Sequence, residues 1–182
     1  NTRFIVGSQT TGSFVELDTA GHDEQADVSL SNVYFGYTGI QNTTVNVGKQ
    51  GLTTPWTVAL DSDGNEQTGT GILALSTVGP VTLAAAYFNQ TNLDASTDAK
   101  IGTTNVAGQL QGNEAIATVG AIVAAGPVTI DAWYLDAQDK FDSYTIGAKS
   151  SLDLSGAKLG IDARFASLSL DKDTAVALRP VI

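Results

Sequence analysis

The chain has 182 residues, with 9 Lys and Arg against 19 Asp and Glu, a formal net charge of −10, 15% charged residues, and neither Cys nor Met. The missing cysteine excludes a disulfide framework, a thiolate metal site and a cysteine nucleophile, and nine scattered cations cannot build the basic footprint that nucleic acid or anionic headgroups require. The longest apolar run, Ala115 to Ala125, is divided by Thr118 and Gly120 and falls short of the ~20 residues of a spanning helix.

The apolar residues fall instead into short runs rich in Val, Ile, Thr and aromatics, bounded by Gly, Pro, Asn or Asp, which is strand patterning. Ten strands are expected, near residues 3–9, 13–18, 27–37, 44–49, 69–78, 81–89, 114–125, 128–136, 143–153 and 158–168. Several alternate with period two. Val81, Leu83, Ala85 and Tyr87 share one face, as do Val128, Ile130, Ala132 and Tyr134, then Tyr144, Ile146 and Ala148, then Leu159, Ile161, Ala163 and Phe165. The opposite faces carry Asp131, Lys149, Asp153, Lys158, Asp162 and Arg164 in mid-strand.

The connections alternate in length along the chain. Thr10–Gly12, Thr38–Thr43, Gly79–Pro80, Gly126–Pro127 and Leu154–Ala157 are short; Thr19–Ala26, Gln50–Thr68 and Gln90–Asn113 are long, with Ala137–Asp142 the weakest of the long set. A soluble sandwich has no reason to sort loop lengths by rim, whereas an up-and-down transmembrane barrel has short turns on one rim and long loops on the other. Tyr87, Phe88, Trp133, Tyr134, Phe141 and Tyr144 lie beside the long connections, where they are expected to form an aromatic girdle. The fold expected is an all-β, antiparallel up-and-down barrel, with residues 1–182 as one barrel segment and oily faces toward lipid.

Between residues 28 and 90 the order of elements becomes specific: Val28–Tyr37, a short turn, Val45-Asn46-Val47-Gly48-Lys49-Gln50, a long loop, Gly69-Thr70-Gly71-Ile72, Gly79-Pro80, then Val81-Thr82-Leu83-Ala84-Ala85-Ala86-Tyr87. This resembles the Gram-negative general diffusion porins, most closely the major outer-membrane porins of the campylobacter type. The resemblance implies a homotrimer in the bacterial outer membrane, among lipid and lipopolysaccharide, passing small hydrophilic solutes and cations without catalysis. It also implies that Gln50–Thr68 folds into the barrel as a constriction loop, with Asp61, Asp63 and Glu66 on it and Lys49 at its base. Such an eyelet sets up a transverse field that favours cations. Asp131, Lys149, Asp162 and Arg164 are expected to extend the pore lining. The parity of Lys49, in phase with Val45 and Val47, requires a bulge or the strand's end to turn it inward; otherwise it snorkels at the rim. Family members are about twice as long, with 16 or 18 strands and a terminal aromatic, so a partial chain is expected.

Asp61-Ser62-Asp63-Gly64-Asn65 copies the first half of a calcium loop, but Glu66 stands at the invariant glycine position and Ile72 at that of the bidentate Glu, which excludes an EF-hand. A looser, weakly bound calcium among the loop carboxylates stays open. His22, the single histidine, is read as a solvated loop residue, since one His cannot build a catalytic zinc site. Neither Gly7-Ser8 nor Gly12-Ser13 has the flanking glycines of a nucleophile elbow. The rival architecture is an extracellular adhesin, solenoid or sandwich with acidic loops, whose oily strand faces would be buried against a second layer.

Overall fold

A computed structural model describes residues 2–7, 16–17, 26–27, 30, 32–62, 64–101, 104–154 and 157–178. In chain order its strands are β1 (Thr2–Gly7), the two-residue β2 (Glu16–Leu17) and β3 (Ala26–Asp27), β4 (Asn32–Tyr37), β5 (Thr43–Gly51), β6 (Thr68–Val78), β7 (Val81–Thr91), the two-residue β8 (Lys100–Ile101) and β9 (Thr104–Asn105), β10 (Ile116–Ala125), β11 (Val128–Ala137), β12 (Phe141–Leu154) and β13 (Ala157–Leu170), followed by helix α1 (Lys172–Leu178). Nine of them form one antiparallel sheet in the order β1-β4-β5-β6-β7-β10-β11-β12-β13. Each long strand pairs with the next long strand in the chain, and among the described residues β1 and β13 are the sheet's edges. The architecture is an up-and-down barrel wall, seen in part.

The strand count differs from the ten expected. β1 pairs with β4 in unbroken register from Thr2↔Tyr37 to Gly7↔Asn32, so residues 8–31 are one connection. Of the strand expected at 13–18, only Glu16 and Leu17 are described, and they pair with Asp27 and Ala26 within that connection; the remainder, with His22, lies outside the described residues. The short apolar run near 13–18 was expected as a wall strand, but β1 and β4 satisfy each other's backbone groups directly. The sorting of loop lengths survives the correction. The long connections leave β1, β5 and β7 at one rim, and the short ones leave β4, β6, β10 and β12 at the other. The three-residue connection 138–140 is the short member of the loop rim.

The two tightest turns follow from their chemistry. Gly79 and Gly126 adopt φ of 58° and 61°, and each precedes a proline whose fixed φ suits the second turn position. Glycine first in a two-residue loop gives the turn whose twist matches a hairpin.

Alternation sorts the side chains onto two faces. One face leaves Phe4, Phe35, Val47, Leu83, Ile130, Ile161 and Phe165 open, with Phe165 60% exposed. The other carries Thr118, Asp131, Leu135, Ser143 and Thr145, all buried, and it is the face the long loops cover. No second layer of the described residues packs on the oily face, as a soluble sandwich requires. Among the described residues no helix is long and apolar enough to cross a membrane, so strands carry the hydrophobic surface.

The aromatics divide. Tyr87, Tyr134 and Tyr144 are exposed on the outward face near the loop rim, and Tyr144 lies 6.0 Å from Phe165, ring to ring. Phe88, Trp133 and Phe141, expected in the same girdle, turn inward. Phe88 is buried opposite Ile116, Trp133 covers Gly120, and Phe141 packs on the cluster of Ile116, Leu135 and Ala137. Strand ends attract aromatics on both faces, and only parity separates them.

Candidate functional site: the inward wall and the folded-in loop

Strand pairing lays the inward side chains of β7 and β10 to β13 in horizontal levels. Nearest the loop rim, Phe88, Ile116, Ala137, Phe141 and Leu170 face one another; the next level holds Ala86, Thr118, Leu135, Ser143 and Leu168. Then come Ala84, Gly120, Trp133, Thr145 and Ala166, and below them Thr82, Ile122, Asp131, Gly147 and Arg164. Nearer the turn rim Thr129, Lys149 and Asp162 align, and last Asp153 and Lys158. The wall is thus apolar near the loops and charged from its middle downward.

All the inward charges of β11 to β13 are paired. Arg164 Nη2 donates to Asp131 Oδ1 at 2.8 Å, and Arg164 Nη1 donates to Thr145 Oγ1 at 3.2 Å. Lys149 Nζ lies 3.2 Å from Asp162 Oδ2, and Lys158 Nζ 3.7 Å from Asp153 Oδ1. The Arg164 pair is the sheltered one; the Lys149 and Lys158 pairs are largely exposed and contribute little to stability. Three carboxylates balance three cations, so this stretch of wall carries no net charge. Asp131, Lys149, Asp162 and Arg164 all stand on the inward face. Arg3 joins that face on β1, opposite Gly36, and was missed because its strand is short and its alternation brief.

The loop 52–67 turns inward. Leu52 N donates to Gln67 O at its neck, 2.9 Å. Beyond it Trp56 reaches the far wall, where Nε1 donates to Ser143 Oγ at 2.9 Å across 87 residues of sequence. Its ring packs on Ile116, Leu135 and Ala137. Ser143 Oγ in turn donates to Ser167 O at 2.7 Å. A tryptophan within a polar loop (Thr53-Thr54-Pro55-Trp56-Thr57) was the available signal for this contact, since water offers the ring no favourable site.

Of the loop's carboxylates, Asp61 serves as a contact between loops. Asp61 is buried and ties loops together: Oδ1 accepts from Asn65 N at 2.9 Å, and Oδ2 from Ser96 Oγ at 3.3 Å and Thr97 N at 3.4 Å. Glu66 forms an isolated bridge with Leu60, and its carbonyl accepts from Asn92 Nδ2 at 2.7 Å. Asp63 lies outside the described residues. Gln67 Nε2 donates to Ser96 Oγ at 2.9 Å, and Ser62 N to Asp98 Oδ2 at 2.7 Å. Loops 52–67 and 92–115 therefore make one hydrogen-bonded unit, whose second half the sequence reading did not single out.

Lys49 stays outward. The ladders run without a slip through Val33↔Lys49 and Lys49↔Thr70, so no bulge turns it, and it shares a face with Val45 and Val47. The buried Gln50 takes the inward position instead. The one register shift nearby falls between Thr70 and Gly71 against β7 and leaves β5 untouched. Among the described residues no group of three or more His, Asp or Glu is close enough to hold a metal ion.

A strand wall with an oily outward face, a charged inward face and a loop folded back across it defines the class: a porin-type outer-membrane β-barrel. Residues 8–178 match the family described as Campylobacter major outer membrane protein, and the chain belongs to that family. No curated protein sequence matches it. Among solved structures it is similar to Pseudomonas aeruginosa OccK8 (OprE), with a TM-score of 0.68 at 18% identity over 91% of this chain and 44% of that one. It is similar also to OccK5 (OpdH) of the same organism, with a TM-score of 0.65 at 18% identity over 82% of this chain and 41% of that one. For the P. aeruginosa outer membrane protein opdK the TM-score is 0.64 at 15% identity, over 78% and 39% respectively. At these identities the likeness is one of fold. The chain spans about two fifths of the length of these relatives.

Proposed function

We propose that this chain is the loop-constricted portion of a water-filled channel for passive diffusion of small hydrophilic solutes, with a preference for cations. The observation that carries the reading is Trp56 bonded to Ser143, which seats a loop against the inward face of a wall whose other face is oily. The support for cation preference shifts from the eyelet to the loop rim. The wall charges of β11 to β13 cancel, whereas segments 52–67 and 92–115 contain Asp61, Asp63, Glu66, Asp94, Asp98 and Glu114 against Lys100 alone. An acidic mouth concentrates cations before any constriction is reached. In the assembly implied by the resemblance, three copies stand side by side in the outer membrane. The test is planar-bilayer recording on the full-length protein: stepwise conductance with a cation-selective reversal potential in a salt gradient supports the reading, and absence of steps refutes it. Cross-linking in detergent reads the trimer separately.

A further inference from the structure

Beneath the folded-in loop lies a cavity of about 370 Å³, walled by Leu52, Trp56, Phe88, Leu135, Phe141 and Leu168 among others. Most of its polar lining groups are occupied by the protein itself. Thr118 Oγ1 donates to Tyr134 O, Ser143 Oγ to Ser167 O, and Thr57 Oγ1 to Leu52 O. Gln67 Oε1 accepts from Val58 N, and Gln67 Nε2 donates to Ser96 Oγ. Trp56 Nε1 is taken by Ser143, leaving the indole faces. Away from the ion pairs, a sugar entering this space finds few donors or acceptors that are not already engaged, and it loses its water. An apolar ring loses nothing and gains from burial. Two ion pairs also line the cavity, Lys140–Glu114 at 3.3 Å and Lys100–Asp98 at 2.9 Å, so both signs of charge are at hand for a polar end group.

We propose that this cavity is a binding subsite for amphipathic solutes, taking an apolar body of one or two fused rings, with the charged end of either sign directed to those ion pairs. The volume lies within the range of small-molecule sites. The inference rests on the channel reading and adds to it: solutes with ring bodies are retained on the way through, and purely polar ones are not.

The probes are 1-naphthylmethylammonium and 1-naphthylacetate, set against ethylammonium and acetate of the same charges. In planar bilayers with the full-length protein, both naphthyl ions are expected to give saturable current block at concentrations about tenfold or more below any effect of the aliphatic ions. Equilibrium dialysis of the same probes against the protein in lipid nanodiscs, with empty discs as blank, reads binding without current. Leu135→Gln and, independently, Leu168→Gln place an amide in the cavity and are expected to weaken naphthyl binding at least tenfold, with open-channel conductance of the Leu168 variant staying within about twofold. Two variants from different strands guard against one failing to fold. Equal effects of naphthyl and aliphatic ions, or unchanged naphthyl binding in a folded variant, overturn the subsite. Missing conductance with retained naphthyl binding in nanodiscs refutes the channel reading and leaves the subsite standing.

Discussion

Arg164 reaches Asp131 across an empty position. The two belong to strands separated by β12, and the residue between them in register is Gly147. A Cβ built there would stand 2.5 Å from Arg164 Nη2 and 2.7 Å from Asp131 Oδ1. The guanidinium therefore crosses a strand because that strand offers no side chain, and Thr145 steadies it from one level nearer the loop rim.

Gly147→Ala is expected to break the pair, since the methyl occupies the space of both partners. Pushing the two side chains apart leaves the sheltered Asp131 carboxylate without its counter-ion, a loss of about 1–3 kcal/mol. Heat-modifiability on semi-native gels should fall by several degrees. A variant as heat-stable as the parent would show that the pair relocates freely.

Neutralising Asp131 tests the wall's charge balance. Asp131→Asn leaves Arg164 without its carboxylate, so the inward faces of β11 to β13 gain one net positive charge. The reversal potential in a salt gradient is expected to move toward anions, and Arg164→Gln to move it the opposite way. Shifts of one sign from both substitutions would contradict the assignment.

Trp56→Phe keeps a ring on the apolar wall and removes the bond to Ser143, a change of about 1 kcal/mol. Open-channel current noise is expected to rise with mean conductance nearly unchanged. Trp56→Ala also loses the ring's burial and is expected to raise conductance itself as the loop leaves the wall. Protease cleavage within residues 52–67 reports the same release.

Asp61 acts as a tether, so Asp61→Ala is expected to increase current noise and loop cleavage more than it changes ion selectivity, because the carboxylate is buried among Asn65, Ser96 and Thr97. If selectivity drops sharply with noise unchanged, Asp61 faces the ion path and the tether reading fails.

Asp98 carries a pH dependence. Its carboxyl is held below the ordinary carboxylate range, first by the hydrogen bond from Lys100, with burial opposing and the bonds from Ser62 adding to the lowering. A depressed folded value means the tether to Ser62 is intact above the ordinary range and is lost as pH falls through the lowered one. Loop cleavage is therefore expected to begin only in strong acid, and Lys100→Gln to move its onset to higher pH. An onset unaffected by Lys100→Gln would remove Lys100 as the cause.

The parity of the wall was written in the chain. Val81 to Tyr87, Val128 to Tyr134 and Leu159 to Phe165 alternate so regularly that face assignment needs no partner, because a strand's side-chain period is two wherever it pairs. The rim sorting was legible for the same local reason, since Gly79-Pro80 and Gly126-Pro127 permit only tight turns. Four wall charges, Asp131, Lys149, Asp162 and Arg164, followed directly from parity.

Pairing partners were not legible, because backbone groups are alike in every strand and only the folded sheet chooses among them. Hence a tenth strand was expected where β1 and β4 meet directly; Phe88, Trp133 and Phe141 were placed on the lipid side by their nearness to the rim, although their parity relative to Tyr87, Tyr134 and Tyr144 already turned them inward. Loop carboxylates were read as facing water, whereas Asp61 folds back on Ser96 and Thr97, partners 35 and 36 residues away. Alternation along a strand is a property of neighbouring residues and so belongs to the sequence; what a loop reaches on the wall depends on how loop and sheet fold together, which brings Trp56 to Ser143 and which no local pattern encodes.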